Sequence, residues 1–592
     1  MHRGSLFAVL AAVSLLVVAA PVRAVVLPGS GPQDPGYAPG QLLVRVKPGW
    51  APWIVHAETG ANWRHTVPGI GVDLVELPPG TSVGDGMRRY HAHPGVAWAE
   101  PNFTAEAAAV PNDTLFSSQW GPIKVGAPAA WDLCIGTSAP IIAVVDTGVD
   151  FRHPDLAAKL LPGATFVPGT KDALDDNGHG THVSGIAAAV ANNVAGVAGM
   201  AWANAILPVK VLNADGVGTY DAIAEGMIYA ADSGAAVINL SLGGLYDSQT
   251  LHDACDYAYT RGCVVVAATG NNDSTLIRYP AAYPTVIAVG ATDQADAKAT
   301  FSNYGQQLSV TAPGVGILST MPTSPGTLNV SYGYATMYDS LSGTSMACPH
   351  VAGLAALLRS ANPSLGPDGV RNVLQRTALD AGELGWDERF GYGRIRADAA
   401  VAEALWPSPP DPVAPSLAVM TPAAGDTLRG PALVTISAAD NRAVARVEYA
   451  VDGVVRKVSG RQWTWQTGED ENGAHSLTVT VKDYDGNWCS QTVPVNVSNA
   501  RTTDTFSGTL KTAYALHQFT TRLHGKVKAV LNWGKGAKLS LAILYSNGAT
   551  AAYNSAGARP CALETILPAG NYLAKVGIMS GKASYTLSVT RL

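Results

Sequence analysis

The sequence predicts an α/β protein: a parallel-sheet domain, preceded by a small α+β unit and followed by two all-β sandwich domains. Between about 111 and 402, apolar runs (Ile141–Val145, Ala205–Val211, Val237–Leu242, Val264–Ala268, Val286–Gly290) alternate with helix-like stretches such as His182–Val190, Tyr220–Asp232 and Thr250–Arg261. Fully apolar strands separated by helices mean a parallel sheet covered on both faces. Beyond a Pro-rich stretch at Trp406–Pro415 the pattern shortens to strands and turns. At roughly 150 residues per domain, 592 residues leave room for three or four such units.

Before the parallel-sheet domain, residues 25–110 carry short strand patterns at Gln41–Val46, Val72–Leu77 and Gly95–Glu100, with a helical stretch at Ser82–His91. After it, residues 403–415 read as a semi-rigid Pro-rich spacer. A sandwich over 416–499 is expected from Val434–Ser437, Val444–Val451 and His475–Val481, with Asp452-Gly453 and Asp485-Gly486 as turns. A second, over 505–592, is expected from Lys526–Trp533, Lys538–Tyr545 and Tyr585–Thr590.

Composition narrows the function. With 39 Lys+Arg against 45 Asp+Glu, a net charge of −6 provides no footprint for DNA or RNA. Arg3, the apolar run Leu6–Ala20 and the small residues ending at Ala24 form a secretory signal over 1–24. That run is shorter than the ~20 apolar residues of a spanning helix, and no later stretch supplies one, so a secreted protein without a membrane span is expected. The six cysteines follow no small disulfide framework. Mostly buried free thiols are expected.

Three segments put reactive side chains where an apolar element ends. Ile141-Ile-Ala-Val-Val-Asp146-Thr-Gly148 sets Asp146 at the carboxyl end of a buried strand, where ligand chemistry gathers in parallel sheets, although an Asx turn explains it equally. Asp175-Asp-Asn-Gly178-His179-Gly180-Thr-His182 places a histidine between glycines that permit close approach. The spacing of His179 and His182 argues against zinc, which wants His-Glu-x-x-His. Gly343-Thr-Ser345-Met-Ala-Cys-Pro349-His350 sets Ser345 at the start of an apolar helix, with Pro349 suited to its first turn. There a serine is either an N-cap or a group whose own N–H faces a developing oxyanion. Gly-x-Ser-x-Gly is missing, so an α/β-hydrolase elbow is not supported.

Together Val-Val-Asp-Thr-Gly, Gly-His-Gly-Thr-His-Val-Ser-Gly and Gly-Thr-Ser-Met-Ala-Cys-Pro-His resemble, in order, the motifs of the subtilisin-like serine proteases. Pro111–Trp120 and Gly126–Trp131 resemble the thermitase branch. The resemblance implies Ser345 as nucleophile, His179 as general base and Asp146 as the carboxylate orienting it. It further implies Asn271 as an oxyanion donor, Ser241, Leu242 and Gly243 as a strand that pairs with substrate, and Ala267, Ala268, Thr269 and Gly270 as the opposite wall of the first specificity pocket. Protein or peptide substrates follow. Arg278, just before Tyr279-Pro280, falls at the base of that pocket. Its guanidinium either faces a substrate Asp or Glu at P1 or runs along the surface to solvent.

A structural Ca²⁺ is also implied, held by Asp113, Asp155 and the loop residues Val190, Asn193, Ala195 and Val197, an all-oxygen set. The branch's second calcium loop is not expected, because Thr165, Pro168 and Thr170 stand where acids are wanted. Residues 36–103 resemble an I9-type propeptide, an intramolecular inhibitor, which makes Thr104–Val110 the expected site of self-cleavage. Residues 412–499 resemble a bacterial Ig-like domain, and the last unit a pre-peptidase C-terminal domain. Two rival readings remain: an aspartic protease using Asp146-Thr-Gly148 and Asp232-Ser-Gly234, and a non-catalytic adhesin.

Overall fold

The computed structural model describes residues 37–104, 110–510, 513–555 and 559–591. The signal at 1–24 and most of the Thr104–Val110 stretch lie outside them. The chain divides into two units, 1–107 and 108–592. Within the first, an antiparallel sheet runs in the order Asn62–Val67, Val72–Glu76, Tyr37–Val46, Val96–Phe103, with helices Pro52–Thr59 and Val83–Ala92. Leu42, Val44, Val55, Val75 and Tyr90 form its core. Among them, His56 bridges the Tyr90 hydroxyl (2.9 Å) and Asp73 (3.1 Å).

The second unit opens on a seven-stranded sheet: β1 (Ile141–Asp146), β2 (Ala164–Thr165), β3 (Ile206–Lys210), β4 (Ala235–Leu240), β5 (Val264–Ala268), β6 (Val286–Thr292) and β7 (Leu308–Pro313). All pairings are parallel and the order is β7-β6-β5-β4-β1-β3-β2. The chain leaves β1 for β3 on one side and returns to β4 on the other. This reversal places a crevice beyond the carboxyl ends of β1 and β4.

Alternation along the strands feeds two cores. Ile142 and Val144 join one, beneath α1 (His179–Ala188) and α4 (Thr344–Ala361); Ala143 and Val145 join the other, beneath α2 (Tyr220–Asp232) and α3 (Gln249–Thr260). Both are buried because helices cover both faces. The strand expected through Leu242 ends at Leu240, so Ser241–Gly243 lie outside the ladder. All six cysteines are free thiols.

Two β-sandwiches complete the unit. The first packs a three-stranded sheet against a five-stranded one over Val434, Val447, Tyr449, Trp465, Leu477 and Val479. The second packs two four-stranded sheets. It begins ahead of the position 505 read from sequence, because Thr502–Leu510 pairs without a break along Ala583–Arg591.

The Pro-rich stretch departs from the expected spacer. Residues 403–405 belong to the helix Ala397–Leu405, and the segment after that helix is fastened to the first sandwich. Arg442 donates to Pro409 O (2.7 Å), and Asn487 Nδ2 donates to Asp411 O (2.6 Å).

Candidate active site

Asp146 ends β1 fully buried, and its Oδ1 meets His179 Nδ1 at 2.8 Å. His179 is the first residue of α1. That turn is assembled by a residue to which the sequence assigns no role, Asp175. Its Oδ1 accepts from Thr147 Oγ1 and from the N–H groups of Asn177 and Gly178, and its Oδ2 from Thr181 N and Oγ1. The carboxylate takes two of the N–H groups that the helix start would otherwise leave orphaned, those of Gly178 and Thr181, while Asn177 Oδ1 and Thr147 Oγ1 take those of His179 and Gly180. Gly178 reaches it at φ +116°, a conformation open to glycine. Burial works against a charge on His179, but Asp146, and Asp175 beyond it, outweigh that and raise the imidazole pKa above its ordinary value.

Ser345 sits in the first turn of α4, and its Oγ donates to Ser241 O at 3.1 Å. Pro349 lies in the second turn, not the first as expected. Lacking an N–H, it leaves the carbonyl of Ser345, four residues earlier, free of the helix ladder. Ser241 Oγ donates to that carbonyl at 2.8 Å, so two reciprocal bonds join the end of β4 to the start of α4.

Asn271 Oδ1 accepts from Thr344 N (2.8 Å) and Thr344 Oγ1 (2.9 Å), which turns its Nδ2 outward as a donor. A Cβ on Gly343 would lie 3.3 Å from Asn271 Nδ2 and 3.6 Å from Ser345 N. Two N–H donors therefore converge on the space over the Gly343 Cα. The backbone there is extended, so glycine is needed for space and not for its dihedrals.

Leu242 and Gly243 continue from Ser241, and Gly244 pairs with Tyr279 through two backbone bonds of 2.8 and 3.0 Å. Opposite, Ala267 and Ala268 are buried within β5, and Thr269 and Gly270 lead out of the sheet. Arg278 spans the gap: Cβ atoms on Gly243 and Gly270 would meet its Cβ at 3.0 Å and its Cδ at 2.8 Å. Its guanidinium donates to Gly243 O (3.3 Å) and Asn272 Oδ1 (2.6 Å). Neither course expected from sequence describes it fully. The stem lies between the walls, and the head is tied to uncharged oxygens at their rim.

Further off, the loop 190–197 wraps two buried carboxylates. Asp155 accepts from Asn193 Nδ2 and Val197 N, both at 2.9 Å, its carbonyl accepts from Val190 N at 2.7 Å, and Asp113 Oδ2 accepts from Asn192 N at 2.7 Å. Ala195 closes the turn by donating to Asn193 Oδ1. Asp113 Oδ1 is buried without a partner. Burial raises the Asp113 pKa, with Asp155 adding to the rise against the loop N–H bonds. A buried, partnerless carboxylate oxygen beside a second carboxylate fits an oxygen-ligated divalent cation. By contrast Thr165 Oγ1 bonds Thr170 Oγ1 at 2.5 Å, closing that loop with hydroxyls.

Residues 137–393 match the subtilase family. Thermitase from Thermoactinomyces vulgaris is 49% identical over 292 residues, 49% of this chain and 99% of that protein. The chain belongs to the subtilase family. A thermophilic serine proteinase of Bacillus sp. (strain AK1) is 48% identical over 316 residues (53% of this chain, 75% of that one), and subtilisin BL of Lederbergia lenta 46% over 284 (48% and 98%). Residues 28–102 match the fervidolysin N-terminal prodomain and 415–479 a bacterial Ig domain. This subtilase is thermitase-like, a serine endopeptidase carrying a prodomain. The aspartic-protease and adhesin readings are thereby set aside. Gly343→Ala fills the space before the two donors while leaving the backbone unstrained. It is expected to lower kcat by ~10²-fold with an unchanged melting temperature, measured on a chromogenic peptide and by calorimetry.

Proposed function

We propose that this chain is an exported, self-processing zymogen in which Ser345, His179 and Asp146 form the catalytic triad. The observation that carries the reading is the Asp146–His179 pair at 2.8 Å together with the two donors converging over Gly343. Ser345 Oγ attacks the scissile carbonyl as His179 Nε2 takes its proton. Asp146 fixes the tautomer and offsets the imidazolium, and His179 then protonates the leaving amine. The carbonyl oxygen, now anionic, is held by Asn271 Nδ2 and Ser345 N. In subtilisin itself, loss of the equivalent amide costs ~10²–10³ in kcat, and the same is taken over here for Asn271. Only neutral His179 accepts the proton, so activity falls as pH drops through its raised pKa. The substrate extends along Ser241–Gly243.

Residues 25–110 act as the intramolecular inhibitor and are cut within 104–110. Export rests on the signal at 1–24, and among the described residues no helix is long and apolar enough to cross a membrane. Ser345→Ala is expected to accumulate as an unprocessed chain that does not react with a fluorophosphonate probe. Efficient processing of that variant in a protease-free host overturns the reading.

Asp113, Asp155 and Asn193, with the carbonyls of Val190, Ala195 and Val197, would hold a Ca²⁺ that pins the loop 190–197 to the body of the domain. A cation bound only to the folded state stabilises it by about 2.7 kcal/mol at a hundredfold excess over Kd. Melting with chelator is expected several degrees below melting in millimolar calcium, a gap that Asp113→Asn abolishes. Superimposable curves remove the site.

Arg278 makes the first specificity pocket short and cationic, favouring an Asp or Glu side chain at P1 over large apolar ones. Profiling P1 with Arg278→Gly beside the parent chain is expected to show acidic residues losing ground to Leu and Phe by ~10-fold, the worth of one charge-assisted contact. An unchanged profile means that the guanidinium does not meet P1.

A further inference from the structure

The turn that carries Asn271 has little packing of its own: Asn271, Asn272 and Asp273 are all exposed. Its conformation has to be imposed from outside: Arg278 holds Asn272 Oδ1 and Lys298 holds Asp273 Oδ1 at the surface, and one buried side chain makes four bonds to the backbone from below. Asn303, 1% exposed, follows β6 on the loop leading to β7. Its Oδ1 accepts from Asn272 N (2.8 Å) and Ser274 N (3.2 Å), and its Nδ2 donates to Thr269 O (3.1 Å) and Leu276 O (2.9 Å). A primary amide has two donors and an acceptor with two lone pairs. All four are spent on the backbone of residues 269–276, two before Ser274 and two from it onward.

The main chain of Asn303 adds to the grip. Its N–H donates to Gly270 O (2.9 Å), and its carbonyl accepts from Thr269 Oγ1 (3.2 Å). Contact is close enough that a Cβ on Gly270 would fall 2.6 Å from Asn303 Nδ2. Asn271 is thus held from two sides: its side chain by Thr344, and the backbone before and after it by Asn303.

We propose that Asn303 is a positioning residue for catalysis, setting the direction of the Asn271 Nδ2–H toward the carbonyl oxygen of the substrate. The inference rests on the reading of Asn271 as an oxyanion donor. A donor helps only when it stands about 2.7–3.1 Å from where the oxyanion forms. A displacement of 1 Å can cost 10²-fold. Asn303→Ala removes all four side-chain bonds. Asn303→Asp keeps the two that Oδ1 accepts but turns an oxygen toward Thr269 O and Leu276 O. Neither touches the substrate-pairing segment 241–243, and of the opposite pocket wall each gives up only the bond to Thr269 O, since Gly270 O is held by the main-chain N–H of Asn303.

The test is steady-state kinetics of the mature full chain on a peptide p-nitroanilide, with each preparation normalised by active-site titration so that misfolded protein is not counted. Both variants are expected to lower kcat ~10- to 100-fold while KM moves less than about threefold. In an Asn271→Ala background, Asn303→Ala should cost less than about twofold more, because the donor it aims is already gone. Unchanged kcat per titrated site overturns the proposal. So does a double variant in which the two losses multiply, since Asn303 would then act independently of Asn271. If Asn271→Ala alone leaves kcat intact, the oxyanion reading itself fails, a result distinguishable from either of the others.

Discussion

The site depends on a helix whose first turn is buried except at Ser345. Through Leu358, α4 is buried at almost every position, packed against α1 and against β4, β5, β6 and β7. Such a helix cannot shift without disturbing both the sheet and α1, so its first turn is a fixed reference. The polar groups of that turn are met by the ends of other elements: Ser345 O and Oγ by Ser241 after β4, and Thr344 N and Oγ1 by Asn271 after β5. Pro349 makes one of these contacts available by freeing the carbonyl that Ser241 takes. The backbone defect that a mid-helix proline normally represents is here the attachment point.

How much of this was legible depends on where each signal resides. Asp146, His179 and Ser345 stand at the junction of an apolar run with glycine or small polar residues, and a parallel sheet turns that local pattern into a prediction about its carboxyl edge. Ser241 and Asn271 were legible only through family resemblance, because a serine or asparagine after a strand is ordinarily a turn residue. Asp175 and Asn303 were not legible. Both act on the backbone through polar side chains folded back into the protein, and nothing in their neighbours distinguishes them from solvated loop residues. In the first unit, Asn62–Val67 is unreadable as a strand for a related reason. It is an edge strand with no buried position, so it has no period-two apolar pattern to detect.

Two loops that resemblance placed side by side diverge for a chemical reason. Around Asp155 the chain concentrates carboxylates, leaves Asp113 Oδ1 without a donor, and holds Asn192 and Val194 at φ 63° and 66°. Positive φ is costly for a β-branched residue, and it persists only where surroundings over-determine it. At Thr165 and Thr170, two hydroxyls satisfy one another and no unmatched negative charge remains. The first loop is built around a deficit, and the second is closed without one.

The Ig-like sandwich is joined to the protease domain more intimately than a Pro-rich connection suggests. Leu384 of the protease domain packs against the sandwich core, and Trp386 N donates to Ala445 O at 2.9 Å. A Cβ on Gly385 would fall 2.9 Å from that same carbonyl, so the two backbones meet at glycine distance. Arg376 bonds Asp485, and Glu383 takes Ser459 Oγ and Lys457. The indole N–H of Trp386 in turn holds Leu308 O on β7, the outermost strand of the catalytic sheet. An open sheet edge is a liability that proteins cover. Segment 391–395 covers this one, bonding Ser309 and Thr311, and the sandwich braces the loop just before it. Separating the two domains would uncover Leu384 and unbrace the loop that guards β7. The connection at 406–415 therefore joins parts of one folded body, which explains why it is stitched to the sandwich at Pro409 and Asp411 instead of left free.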